Sequence, residues 1–210
     1  GTLGSAYFKL GETDKSIEYK EKAHEIKKTI YGEFSPKISV SYNNLARLYS
    51  DLDLSDKAIE FYSRALQIQQ INLGENHFSC AIIYNNLGFE YQKQNNFEQA
   101  LTYYFNALQI HQYIEEHGNT NPQIIGVLNN IGCVYQKSGN YRLSIDYLLQ
   151  CLTHAEQIYD QYPPSFYTTI FSLDTSYRKY LQQKPNDMEI KNQYSDFLNK
   201  YKHYISERNE

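Results

Sequence analysis

Three pairs of adjacent asparagines, Asn43-Asn44, Asn85-Asn86 and Asn129-Asn130, stand 42 and 44 residues apart. Each amide offers donors and an acceptor, the complement of a bare peptide N–H and C=O, so amides repeated along a chain suit holding an extended polypeptide. Groups that break bonds are poorly arranged by comparison. His24, His77, His111, His117, His154 and His203 form no H-E-x-x-H motif. They read as surface or packing residues, with no metal site. Glu115-Glu116 and Asp51-Leu52-Asp53 have neither nucleophile nor oriented base beside them and read as solvated charge. Cys80, Cys133 and Cys151 show no C-x2-C spacing and are odd in number, which points to reduced structural thiols. No glycine-rich phosphate loop occurs, and no cofactor is expected.

The elements that carry the amides repeat. Leu3-Gly4-Ser5-Ala6-Tyr7, Leu45-Ala46-Arg47-Leu48-Tyr49, Leu87-Gly88-Phe89-Glu90-Tyr91 and Ile131-Gly132-Cys133-Val134-Tyr135 share an aliphatic residue, a small residue and then Tyr, at spacings of 42, 42 and 44. Ser16-Ile17, Ala58-Ile59, Ala100-Leu101 and Ser144-Ile145 follow at a fixed offset, and seven residues after each small member comes Ala23, Ala65, Ala107 or Cys151. Small residues at three fixed points per repeat mark where two helix axes approach closely, so each repeat is a helical hairpin. Its turn falls on Gly11, Asp53, Asn95 or Gly139, residue types that tolerate a left-handed backbone. Asn96 and Gln99 have capping-box spacing, and Ser35-Pro36 and Asn121-Pro122 read as caps with Pro at the first helical position. Tyr162-Pro163-Pro164 marks a further boundary.

Composition narrows the function. With 210 residues and 41% apolar content the chain can bury a core, and 22 Tyr with few Gly and Pro suit long helices. A net charge of -4 argues against nucleic acid, and no run approaches the roughly 18 apolar residues of a membrane span. With no export signal, a cytoplasmic location is expected.

These residues resemble the tetratricopeptide repeats, whose usual unit is about 34 residues. The longer stride, the Asn-Asn-aliphatic-small opening and the Leu73-Gly74-Glu75-Asn76-His77 connector are similar to the repeats of kinesin light chains. The resemblance implies an all-α, right-handed superhelical solenoid of antiparallel helix hairpins. The repeats are expected over 1–35, 36–77, 78–121 and 122–164, with a degenerate repeat or capping hairpin over 165–210. Two departures stand out: Lys20 and Leu148 occupy the place of the aromatic Tyr62 and Tyr104, and the last segment lacks the small-residue triplet. Gly1 falls inside the expected first helix, so the first repeat is expected to be truncated.

The resemblance further implies a concave groove lined by the first helix of each hairpin. Its residues would be Asn43, Asn44, Arg47, Ser50 and Asp51, then Asn85, Asn86, Phe89, Gln92 and Lys93, then Asn129, Asn130, Cys133, Gln136 and Lys137. Asn44, Asn86 and Asn130 are equally suited to satisfying a backbone group of an adjacent helix. Arg47, Lys93 and Lys137 would favour acidic residues of a bound peptide, and Phe89 a bulky one. The family's clamp for the acidic tail of heat-shock chaperones is disfavoured, because its Lys/Arg places hold Asn43, Gly126 and Asn130 and only Asn86 fits. The expectation is therefore a scaffold for protein–protein interaction without catalysis of its own. The rivals are a regulatory or substrate-docking region of a larger enzyme, and self-association through the terminal helices.

Overall fold

The computed structural model describes residues 2–118, 121–159 and 165–206. Among them are ten α-helices and no strand. They are α1 (Thr2–Lys9), α2 (Thr13–Tyr31), α3 (Pro36–Asp51), α4 (Ser55–Leu73), α5 (Phe78–Lys93), α6 (Phe97–Glu116), α7 (Gln123–Lys137), α8 (Tyr141–Ile158), α9 (Ser165–Gln183) and α10 (Met188–Ser206). The boundary expected at Tyr162-Pro163-Pro164 lies outside the described residues. The chain divides into two compact units, Gly1–Ile110 and His111–Glu210.

Four hairpin turns share one backbone solution. Gly11 (φ 76°), Asp53 (56°), Asn95 (58°) and Gly139 (82°) are left-handed, at the four positions where the sequence places the turn. The next residue's N–H reaches back to a tyrosine carbonyl: Glu12 to Tyr7 at 3.0 Å, Leu54 to Tyr49 at 2.9 Å, Asn96 to Tyr91 at 2.9 Å and Asn140 to Tyr135 at 2.8 Å. The left-handed residue itself donates three residues back, for example Asn95 to Gln92 at 3.0 Å. Together the two bonds satisfy carbonyls that the end of a helix leaves open. A Cβ-bearing residue without a polar side chain is disfavoured there, so Asn95→Ala should cost about 1 kcal/mol in urea unfolding, whereas Asn95→Gly should stay within about half of that.

Packing inside the hairpins follows the small residues. A Cβ on Gly88 would come within 2.7 Å of the Tyr104 ring, and one on Gly132 within 2.6 Å of Leu148 Cγ. Ala46, Ala58, Ala65, Ala100, Ala107 and Cys151 are fully buried. Ser16 and Ser144 are buried too, and their hydroxyls find partners: Ser16 Oγ donates to Gly4 O at 2.8 Å and Ser144 Oγ lies 2.9 Å from Ser176 Oγ. A ring stack recurs beside these contacts. Tyr7–Tyr19, Tyr49–Phe61, Tyr91–Tyr103 and Tyr135–Tyr147 pair the motif tyrosine with an aromatic twelve residues on, with centroids 5.2 to 5.6 Å apart and planes within 19°. Such pairs add about 0.5–1.5 kcal/mol each beyond their buried area.

Within the second unit, α9 and α10 form a hairpin built on Tyr177, whose buried ring packs on Tyr194 and Phe197 with centroids 5.1 and 5.5 Å away. No small-residue triplet is needed where rings fill the interhelical space.

Two caps differ from expectation. Ser35 Oγ accepts from the Lys37 N–H with Pro36 opening α3, as the sequence implies. Asn121 instead turns its buried amide to His111, with Nδ2 2.6 Å from the ring Nδ1, and α7 begins after Pro122 without a side-chain cap. The buried imidazole leaves the stronger demand for a partner. The capping box at α6 forms by half: Gln99 N–H donates to Asn96 Oδ1, but the Asn96 N–H is already taken by Tyr91 O in the hairpin turn.

Candidate functional site

The first helices bury one side against their hairpin partners and leave another open. On α3 the open stripe is Val40, Asn44 and Arg47, with Asn43 half-buried between them. On α5 it is Ile82 and Phe89, with Asn85 and Asn86 half-buried. Positions i, i+3, i+4 and i+7 share one helix face, so each stripe is continuous. Phe89 is 46% exposed, a large share for a phenylalanine on a helix with so many buried neighbours. Val40 and Ile82 were not singled out in the sequence, although each precedes its asparagine pair by three residues, which places it on the same face.

Several expected groove residues turn out to have internal work. Lys93 Nζ donates to Ser50 O at 2.8 Å and lies 3.2 Å from Glu90 Oε2 and 3.4 Å from Asp53 Oδ1. Glu90 is fully buried, and Ser50 Oγ donates to its other oxygen. The Lys93–Glu90 contact is an ion pair at that distance without hydrogen-bond geometry. Lys93 thus ties α5 to the last turn of α3, where a cation also meets the negative end of the helix dipole. Phe89 lies beside it, its ring centroid 5.7 Å from the ammonium. Asn43 Oδ1 is buried with no hydrogen-bond partner.

In the second unit, Asn129 Oδ1 accepts from Thr169 Oγ1 at 2.8 Å. The Gln136 amide donates to Ser172 O at 2.6 Å and to Ser176 Oγ at 2.9 Å. Both link α7 to α9. Asn130 and Cys133 are half-buried, and Lys137 is exposed at the end of α7. Burial raises the thiols of Cys133 and Cys151 above their ordinary value, the latter to about 12, so both remain protonated near neutral pH.

A hollow in the first unit lies among α1, α2 and α3. This cleft of ≈ 540 Å³ is lined by Lys9, Lys20, Lys27, Arg47, Ser41 and Asn44, among others. Only Asn44 and Arg47 of these belong to the groove set expected from the sequence. The lysines escaped notice because two of them come from the second helix of the first hairpin, and only Lys20 signalled itself, as a break in the aromatic pattern.

Among the described residues no three His, Cys, Asp or Glu side chains gather where a metal ion could be held. No helix of the described residues is long and apolar enough to cross a membrane.

Comparison with known proteins agrees with this geometry. No curated protein matches the chain. Among solved structures, BtubC (BKLC) from P. vanneervenii is 23% identical, with 99% of this chain and 78% of that one covered and a TM-score of 0.79. TPR-like repeats of a kinesin light chain type from Podosopora anserina are 19% identical over 95% of this chain and 93% of that one, with a TM-score of 0.71. The Rap conjugation gene regulator of the plasmid pLS20, solved with the Phr* peptide, is 17% identical over 97% of this chain and 52% of that one, with a TM-score of 0.62. These likenesses are of fold. The Tetratricopeptide repeat family model matches residues 1–71, 51–112 and 79–157, so with helical hairpins, left-handed turns and small-residue contacts all in register, the chain belongs to the tetratricopeptide repeat family.

Proposed function

We propose that the chain is a non-catalytic docking module that holds a segment of another polypeptide against the open stripes of its first helices. One observation carries this reading most: α3 and α5, joined through Ser50, Glu90 and Lys93, present amide, cation and aromatic side chains on exposed stripes. Asn44 and Asn86 supply amides for a peptide backbone, Arg47 a charge-assisted donor for carboxylates, and Phe89 with Ile82 an apolar contact for a bulky side chain. In the second unit, Asn130 and Lys137 offer the same chemistry on α7. That the pLS20 regulator, similar in fold, was solved with a peptide is in keeping with this use of such helices.

Asn86→Ala/Phe89→Ala tests the reading, because both side chains sit on the open stripe of α5 and their removal opens no core cavity. Capture from cell lysate with wild type and with this variant should show loss of the retained polypeptides by the variant, at unchanged helicity by circular dichroism. Retention of every polypeptide at wild-type strength would contradict it.

A further inference from the structure

Position 20 is where the hairpin pattern is broken. In the other three hairpins that carry the small-residue pattern the corresponding second-helix residue is Tyr62, Tyr104 or Leu148, each a buried packing group. Here it is lysine, half-buried, with its stem pressed on Gly4: a Cβ at Gly4 would come 2.7 Å from Lys20 Cγ. A lysine can lay its methylenes on apolar surface only by sending its ammonium to a wet or anionic site. That site is the cleft among α1, α2 and α3, whose rim also carries Lys9, Lys27 and Arg47.

These four cations differ from their neighbours. On α2, Lys15, Lys22 and Lys28 are each within 3.2 Å of a carboxylate, Glu12, Glu18 and Glu33 respectively. Among the described residues none of the four cleft cations forms a salt bridge. Burial, then Arg47 across the cleft, lower Lys20 from its ordinary lysine value, with Asp51 acting in the opposite sense. In a chain whose net charge is -4, this is a local concentration of positive charge on a concave surface.

We infer that the cleft lined by Lys9, Lys20, Lys27 and Arg47 receives a run of consecutive acidic residues from the docked polypeptide. The inference rests on the peptide-docking reading above and names the part of the partner read by the first hairpin. Spacing selects a run over a single anion. Lys20 and Lys27 are seven residues apart on α2, about 10 Å along the helix axis. An extended chain covers that distance in about three residues, so a stretch of about four Asp or Glu side chains spans the cations. One phosphate or one terminal carboxylate is too compact to bridge them. Three of the four cations are lysines, point charges that need no bidentate geometry, which fits flexible carboxylates presented along a strand.

Fluorescence anisotropy with the 210-residue chain tests this. The probes are a fluorescein-labelled Gly/Ser dodecapeptide carrying four consecutive Glu, the same peptide with Gln in their place, and one with a single phosphoserine. Wild type should bind the Glu peptide about tenfold more tightly than the Gln peptide, with the preference shrinking between about 50 and about 300 mM NaCl. Lys20→Leu/Lys27→Gln should lose the preference while staying folded, since Leu148 fills the equivalent place over Gly132. The inference is overturned by equal affinity for the Glu and Gln peptides, by no measurable binding of the Glu peptide, by a phosphoserine peptide that binds as tightly, or by a preference that survives in the lysine variant. If the lysine variant loses the preference for the Glu peptide while Asn86→Ala/Phe89→Ala retains every polypeptide from cell lysate at wild-type strength, the cationic cleft stands and the docking face on α5 fails.

Discussion

Lys93→Met should destabilise the first unit by about 3–5 kcal/mol, the usual loss when one partner of a buried ion pair is removed. Glu90 is the reason. Its side chain is 1% exposed, and Lys93, itself only 22% exposed, is the cation against it. Without Lys93 the carboxylate keeps the Ser50 hydroxyl and loses its counter-charge, and Ser50 O loses its donor. Glu90→Gln/Lys93→Met should recover at least half of the loss, because a neutral amide needs no counter-charge and methionine fills the space of the lysine stem. Urea unfolding followed by far-UV circular dichroism reads both. A Lys93→Met protein within about 0.5 kcal/mol of wild type would show that the buried carboxylate is not held by this lysine.

Acid should weaken the second unit through His111. Burial lowers this imidazole from its ordinary 6.5 to about 4, and its Nδ1 accepts from the Asn121 amide in the neutral ring. The unfolded chain therefore takes up a proton between pH 6.5 and 4 that the folded chain refuses. Stability is full above pH 6.5 and falls as pH drops, by about 3 kcal/mol at pH 4 for a shift of this size. His24, lowered by burial beneath Tyr42 in the first unit, acts in the same direction. The comparison that isolates His111 is the pH dependence of urea unfolding in wild type and in His111→Gln. The variant should lose most of the acid-side slope, and equal slopes would contradict the assignment.

Local rules made most of the fold legible in the sequence. The turn residues Gly11, Asp53, Asn95 and Gly139 declare themselves because few residue types accept a left-handed backbone, and the small residues because helix contact leaves no room for others. The stack of each motif tyrosine on a ring twelve residues later was equally readable from the constant offset, but aromatic abundance hid it. What resisted reading is long-range and polar. Lys93 looks like a free surface cation until Glu90 is seen to be buried beneath it, and charged side chains are rarely buried. Asn129 and Gln136 look like their groove neighbours until α9, some forty residues away, supplies Thr169 and Ser172 as partners. Asn121 reads as a cap because caps are local, and a histidine ten residues earlier took it. Such pairs depend on how one hairpin lies on the next, which a single repeat does not encode.

Photo-crosslinking tests most directly whether the open stripes of the first helices are the docking face. A benzophenone side chain placed at Phe89 on α5, at Asn44 on α3, or at the exposed Gln67 on α4 samples the two stripes and a second helix in otherwise identical proteins. The proposed face predicts partner polypeptide attached from positions 89 and 44 and none from 67. Attachment from 67 with none from 44 or 89 would contradict it.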